Sequence, residues 1–469
     1  MSRKTKTRTL FRLIFVLAVV VGVTLLMSLS LPPSRAASIY TVNSLLDTDD
    51  GACDAANCTL REAINASNLD PGSTINFSVT GTVTLGSALA PIEQSLTING
   101  PGAIQLSVSG NNSVRVFHVK SGVVATFNGL TISNGTSGSG GGVFVECPSV
   151  VNISNSIITG NTAGSGGAMA VPSIFDLCQV NIANSTISGN SSSNLGGAIM
   201  NQSSEFTITD STISGNSAVG VGGGIASNGT VTISNSTISG NNSSSLGGGI
   251  FTGASVLTMS NCTVTGNSST TGGGGLASDF GQMSNSTISG NSAPGGSGVY
   301  GALGMPTLSS NIIALNSGGG NDVSSDTLST SSGYNVIGTS NGITWMPTDQ
   351  LGVTAAQLQL GPLGNNGGPT ETMSLACGSV AIDKGINASA SASDQRGPGF
   401  ARTFDDPNTP NAVGGDGTDA GAFEVNTACA HPPVNKDQCK NNGWQTLSRP
   451  DGTPFKNQGD CIQYVNTGK

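Results

Sequence analysis

Acid–base catalysis needs carboxylates and histidines in company, and this 469-residue chain spreads 26 Asp and Glu along its length with only two His. A polysaccharide lyase needs carboxylates converging on calcium beside an Arg or Lys base. A glycoside hydrolase needs two Asp or Glu flanking the scissile bond. Between Pro101 and Ser310 the charged residues are Arg115, Lys120, Glu146, Asp176, Glu205, Asp210 and Asp279. They keep no common register, so neither arrangement is predicted there and no catalytic residue is assigned. His118 lies in the apolar run Val114–Val119 and reads as a packed side chain; with His431 it gives thin support for a Ser-His-Asp triad. Acids are densest near the C-terminus, at Asp394, Asp405, Asp406, Asp416, Asp419 and Glu424, with Arg396 and Arg402 among them. Asp405, Asp406, Asp416 and Asp419 are the candidate calcium ligands. An Arg–carboxylate network is the favoured reading of that patch, and no other cofactor is expected.

Hydroxyls and thiols supply the other candidates. Thr186/Ser188, Thr212/Ser214, Thr237/Ser239, Thr263/Thr265 and Thr287/Ser289 each flank an apolar residue, so on a strand both point outward. Such a double row could bind ice or a glycan, although Ser and Thr are also ordinary solvent-face strand residues. No aromatic platform for stacking sugars is evident in the repeats. Spacing of the nine cysteines suggests Cys53–Cys58, Cys147–Cys178, Cys377–Cys429 and Cys439–Cys461, leaving Cys262 over. Without CxxC pairs or nearby histidines, disulfides are favoured over zinc.

What positions these residues is a repeat. Gly-Asn recurs at Asn161, Asn190, Asn216, Asn241, Asn267 and Asn291, at intervals of 24 to 29 residues. An apolar residue lies eight before each (Ile153, Ile182, Ile208, Ile233, Met259, Met283) and another three before it (Ile158, Ile187, Ile213, Ile238, Val264, Ile288). A third follows eight or nine after it, from Met169 to Val299. Three short apolar spots flanked by Ser and Thr are strands. The first two are an odd number of residues apart, so one straight strand cannot bury both. A bend is therefore predicted at Asn155, Asn184, Asp210, Asn235, Asn261 and Asn285, because Asn and Asp tolerate left-handed backbone. Gly-Asn makes the second corner, followed by a loose Ser-rich loop. The predicted fold is an all-β, right-handed parallel β-helix, three-sided, with about 25 residues per coil. Both Asn positions should stack as amide ladders, one strand spacing apart.

Composition agrees. Only 9% of residues are charged, 36% are hydrophobic and 68 are Gly, which fits neither a disordered chain nor a helical bundle. A net charge of −9 excludes a phosphate-binding footprint, so nucleic acid is no partner. Arg3, Lys4, Lys6, Arg8 and Arg12 precede an apolar run from Leu13 to Leu31, then small residues to Ala37. That order predicts a secretory signal over 1–36, with an uncleaved anchor as the alternative. Removing it takes away six basic residues and no acid, so the charge falls from −9 to −15. No second apolar run of membrane length follows, and a secreted or cell-surface protein is expected. Thr59 and Glu62 predict a capping box and a short helix plugging the first coil.

Cys58-Thr59-Leu60-Arg61-Glu62-Ala63 resembles the Cys-Ser-Leu-Arg-Glu-Ala motif of exported bacterial β-helix proteins, with Thr59 in place of Ser. The segments 363–370, 379–385, 394–397 and 419–424 resemble the choice-of-anchor domain that follows such helices, departing at Val380 and Lys384. The tail around Cys439 and Cys461 is similar to C-terminal modules of other exported bacterial proteins. The resemblance implies an exported, often envelope-associated bacterial protein and brings no catalytic residues. The organisation expected is signal 1–36, N-terminal cap 37–70, β-helix 71–350, a choice-of-anchor-like C-terminal cap region 351–427 and a cystine-bearing tail 428–469. The function expected is a non-catalytic adhesion, structural or ligand-binding scaffold, with a polysaccharide or envelope component as partner. The alternatives are a lyase or hydrolase of acidic polysaccharide, and ice or glycan binding through the Thr/Ser array.

Overall fold

Alternation decides which way each strand faces. In Val150–Ser154 the side chains of Val151 and Ile153 are buried while their neighbours face outward. The same pattern recurs one coil later in Gln179–Ala183, where Val180 and Ile182 are buried. The computed structural model describes residues 37–429, 432–449 and 453–468; the predicted signal and His431 lie outside them. From Ile39 onward the chain forms one unit. Ile153 pairs in parallel with Ile182, Ile182 with Ile208, Ile208 with Ile233 and Ile233 with Met259. A second stack runs Ile158, Ile187, Ile213, Ile238, Val264, Ile288. Each side chain so buried contributes ~1.5–3 kcal/mol. Winding the chain about these stacks produces parallel sheets of 19, 11 and 6 strands. The third and first apolar spots share the largest sheet, because Ile250–Ser260 and Leu276–Ser284 run through both.

The predicted bends are present, with φ between 47° and 50° at Asn155, Asn184, Asp210, Asn235, Asn261 and Asn285. At the second corner Gly160 and Gly189 take φ of 66° and 63°. The Ser-rich segment that follows is no loose loop. Thr162–Ser165, Ser191–Ser192, Ser217–Ala218, Asn242–Ser243 and Ser268–Ser269 pair in register as a short parallel sheet.

Of the two predicted Asn ladders, only one forms. Asn161, Asn190, Asn216, Asn241, Asn267 and Asn291 are buried. From Asn161 to Asn267, each donates its backbone N–H and Nδ2 to Oδ1 of the next at 2.9–3.0 Å. Asn291 hands on to Asn316 in the same way, and Asn316 ends on Asp322 Oδ1. The bend residues Asn155, Asn184, Asn235, Asn261 and Asn285 share a single long bond, from Asn261 Nδ2 to Asn235 Oδ1 at 3.4 Å. Asn occupies the bend for its backbone, not for its amide.

A column that the sequence reading missed stands one residue after the bend. Ser156 N–H donates to Ser185 Oγ, Ser185 to Ser211 and Ser211 to Ser236. Further along, Ser286 N–H meets Asn311 Oδ1, Asn311 meets Asn335 and Asn335 meets Asp349. Cys262 stands in a serine's place, with its N–H on Ser286 Oγ and its thiol 3.2 Å from the Ser260 carbonyl. That rung explains the ninth cysteine, which is buried and free. The other eight form the four predicted disulfides.

The helix Leu60–Ser67 carries the predicted capping box, and Leu60, Ala63 and Ile64 join the solenoid core. Glu62 accepts from the N–H groups of Thr59 and Asp50, both at 2.8 Å. Arg61 grips both oxygens of Asp47 and the carbonyls of Ser87 and Ala88. At the other end Ile343 and Trp345 pack on the core.

The segment expected as a C-terminal cap takes a different place: it lies along the outer face of the 11-stranded sheet. Thr370 Oγ1 donates to Asn235 O, Gln395 joins Thr237 to Thr263, and Ala422 N–H reaches Thr287 Oγ1. The physical reason is in the last coils. There the outward Thr of that sheet gives way to Ile312 and then Val336, and both are buried with Ala381, Ile382 and Ala420. The tail has its own small core of Cys439, Phe455 and Cys461.

Candidate functional site

The C-terminal acids are bound up in the fold. Arg396 holds Asp394 through both Nε and Nη2, and its guanidinium stacks 4.0 Å from the Phe400 ring centre and 3.8 Å from that of Phe423. Arg402, fully buried, pairs with Glu424 at 3.3 Å. Asp419 accepts from the N–H groups of Asp383 and Val425, Asp416 from Asn387 and Thr418, and Asp406 from Asn408 and Cys429. Burial pushes Asp383 up to about 7, helped by the charges of Asp419, Asp406 and Asp405. The carboxylates of Asp406, Asp416 and Asp419 thus face backbone N–H groups rather than a common point. Among the described residues no group of three or more His, Cys, Asp or Glu is arranged to hold a metal ion.

On the solenoid the structure brings together charges that looked scattered. His118 and Phe144 are register partners on adjacent coils. His118 points outward rather than packing inside, because it alternates with the buried Phe117 and Val119. Its Nε2 lies 2.8 Å from Glu146 Oε1, and Lys120 Nζ is 2.8 Å from Oε2. Burial works against the charged form of Glu146, yet hydrogen bonds and charge from Lys120 and His118 outweigh it and hold the carboxyl below its ordinary value. Arg115 lies 4.5 Å from the Phe144 ring centre and donates to Ser137 Oγ and the carbonyls of Ser139 and Gly140. A carboxylate so held is an ion-pair partner, not a free base.

From this cluster an apolar column runs along the solenoid. The outward residue following the third apolar spot is Phe144, Ala170, Met200, Ala226, Phe251, Ala277 and Tyr300 in successive coils, each register-paired with the next. Large and small alternate without exception. Over its middle lies a shallow groove of about 60 Å³, lined by Leu195, Val221, Met200, Ala226, Phe251 and the amides of Asn201, Gln202 and Asn228. At its far end Tyr300 donates to Asp326 at 2.5 Å, and that bond, with burial, pushes the phenol up to about 12.

Residues 95–270 and 173–345 match the right handed beta helix region family, together more than half of the chain. The chain belongs to the right-handed β-helix family. Among solved structures, one titled "Crystal structure of pectate lyase Pel9A" is similar over 84% of this chain and 97% of that one, with a TM-score of 0.47 and 14% identity. No curated protein matches the sequence.

In this β-helix protein the predicted hydroxyl array survives only in part. Thr237, Thr263 and Thr287 are buried beneath the C-terminal segment, whereas Thr186 and Thr212 are half-buried on the uncovered coils. Phe144, Phe251 and Tyr300 share one outward column but are each half-buried, four and two coils apart, and Arg115 lies over the Phe144 ring. The aromatics of this β-helix recur only at alternate or more distant coils, so they escaped a reading that compared each coil with its neighbour. Their signal was the residue one place after the third apolar spot. Four disulfides fit an oxidising compartment. No helix among the described residues is long and apolar enough to cross a membrane.

Proposed function

We propose that this protein is an exported, non-catalytic β-helix scaffold that binds a ligand at the cell surface or in the extracellular medium. The observation that carries the reading is the state of the His118–Glu146–Lys120 cluster. It is the one place on the solenoid, among the described residues, where an acid meets candidate bases, and there Glu146 is bonded on both oxygens. General acid–base work needs a group free to take or give a proton, and an inverting hydrolase needs a second carboxyl across a gap.

The cations Arg115 and Lys120 around an aromatic ring favour one rival, a lyase of acidic polysaccharide. Incubating the purified protein with polygalacturonate and alginate, with and without calcium, separates the two. The scaffold reading expects no rise in unsaturated uronate absorbance and no new reducing ends. Turnover abolished by Glu146→Gln or Lys120→Ala would replace it with the lyase reading.

A further inference from the structure

We propose that the open edge of the first strand, Ile39–Val42, is a docking slot in which an extended, cationic segment of a partner protein adds as one more strand. This deepens the scaffold reading and rests on it only in that the segment is held and not cut.

The backbone comes first. Ile39–Val42 pairs in parallel with Ser73–Phe77 and, among the described residues, with no other strand. Val42 O accepts from Ser78 N–H, so Val42 and Tyr40 turn their peptide groups toward that neighbour. Alternation turns those of Ile39, Thr41 and Asn43 the other way. Asn43 N–H donates to Cys58 O, and Cys58 N–H donates to Asn43 Oδ1. The cap thus begins a further strand at Cys58 and goes no further along the edge, where the Cys53–Cys58 bridge folds the chain back. Abreast of Ile39 and Thr41 lies instead a groove of about 430 Å³, with Cys53, Asp54 and Ala55 as its far wall. Asn43 Nδ2 donates to the carbonyls of Asp54 and Ala55 and fixes that wall. An exposed edge invites pairing unless proline, lysine or a bulge blunts it, and Ile-Tyr-Thr-Val has none of these. Ile39 is 69% exposed, so the edge presents an apolar side chain as well as its peptide groups.

Charge comes second. Residues 37–72 carry Asp47, Asp49, Asp50, Asp54, Glu62 and Asp70 against one cation, Arg61, which is paired with Asp47. Asp54 is exposed on the groove wall, and the N–H groups of Asn57 and Ala56 hold its carboxyl below the ordinary value, so it stays charged. A second copy of this chain would bring the same acids to the same edge, and that repulsion selects against a two-fold pair of first strands. A strand bearing lysine or arginine meets the opposite charge. Main-chain bonds would then supply the affinity, and the acidic rim the choice of partner.

Fluorescence anisotropy with the full disulfide-bonded protein and the labelled, end-capped hexapeptides KVTVTK and KTVTVK tests the proposal; the two place opposite faces of a strand on the slot. At least one should bind, about tenfold or more tighter than its counterpart with Glu for both Lys, and more weakly as salt rises. N-methylation of alternate peptide nitrogens, in the phase that faces the edge, should abolish binding without any change to the protein. Asp54→Asn should weaken binding about threefold. Thr41→Pro, which removes an edge-facing N–H, should abolish it, and an unchanged melting curve verifies the fold of each variant. Failure of both cationic peptides to bind, equal binding of the acidic pair, or indifference to N-methylation in either phase overturns the slot. So does a dimer in sedimentation that Thr41→Pro dissolves, because the edge would then belong to a second copy. None of these touches the scaffold reading, whereas cleavage of a bound peptide would end the scaffold reading and leave the slot standing.

Discussion

Asn216→Ala probes the amide ladder at its centre. Asn216 Oδ1 accepts from both the backbone N–H and Nδ2 of Asn190, at 2.9 and 3.0 Å, while its own Nδ2 donates to Asn241 Oδ1 and the Ile187 carbonyl. Alanine keeps the backbone N–H bond to Asn241 and deletes the rest. The buried Asn190 N–H loses its acceptor, and the Ile187 carbonyl loses its amide donor. A buried polar group left unpaired costs ~1–3 kcal/mol, so orphaning two should cost about 2–6 kcal/mol. Asn184, exposed at its bend with φ 47°, supplies the contrast. Asn184→Gly should be nearly neutral, since glycine enters left-handed backbone freely, and Asn184→Ala should cost about 1–2 kcal/mol for the strained backbone alone. Equilibrium urea unfolding measures all three, with hydrogen exchange at Asn190 as a local readout. If Asn216→Ala proved no worse than Asn184→Ala, or left the Asn190 amide protected, the ladder would not be the stabilising element described here.

Three further outcomes are expected. Burial pushes the Cys262 thiol up to about 12, so a thiol reagent should fail to label the native protein, and Cys262→Ser, restoring the serine rung, should fall within about 0.5 kcal/mol of the parent; rapid native labelling counts against it. Glu62→Ala should cost about 1–2 kcal/mol by opening the capping box, whereas Glu62→Gln, which still accepts from Thr59 N–H, should lose less than half of that; equal losses in thermal unfolding would show that the box is idle. Asp383, ordinarily at 3.8 and here about 7, keeps a proton in the native state that the unfolded chain has released between those values. Its contribution is therefore fully present below about pH 4 and falls as pH rises through about 7, by at most ~1.4 kcal/mol per pH unit. Unfolding midpoints compared across that range should decline less steeply for Asp383→Asn, and identical slopes would refute the assignment.

Much of this architecture was legible because a solenoid writes its geometry once per coil. The odd spacing between Ile153 and Ile158 demanded a bend, and Asn155 stood where left-handed backbone was needed. The capping box at Thr59 and Glu62 and the four cysteine pairs depended on short-range spacing in the same way. What escaped depended on long-range contact. Nothing local revealed that the segment around Gln395 would cover Thr237, Thr263 and Thr287, although outward Ile312 and Val336 required a cover. His118 departs from the packed position expected of an apolar run because strand alternation turns every second residue outward, between buried Phe117 and Val119. The alternation of large and small residues from Phe144 to Tyr300 was hidden by its period of two coils.

Every amide from Asn161 to Asn316 points the same way, so their small dipoles add instead of cancelling. The column therefore has a positive terminus, and a carboxylate, Asp322, closes it; Asp349 does the same for its neighbour. Since each interior rung receives and passes on the same two bonds, a whole coil could be excised or duplicated without changing what its neighbours meet. The number of coils is thus free to drift between related chains, while the aspartate that ends the sequence of handovers is not.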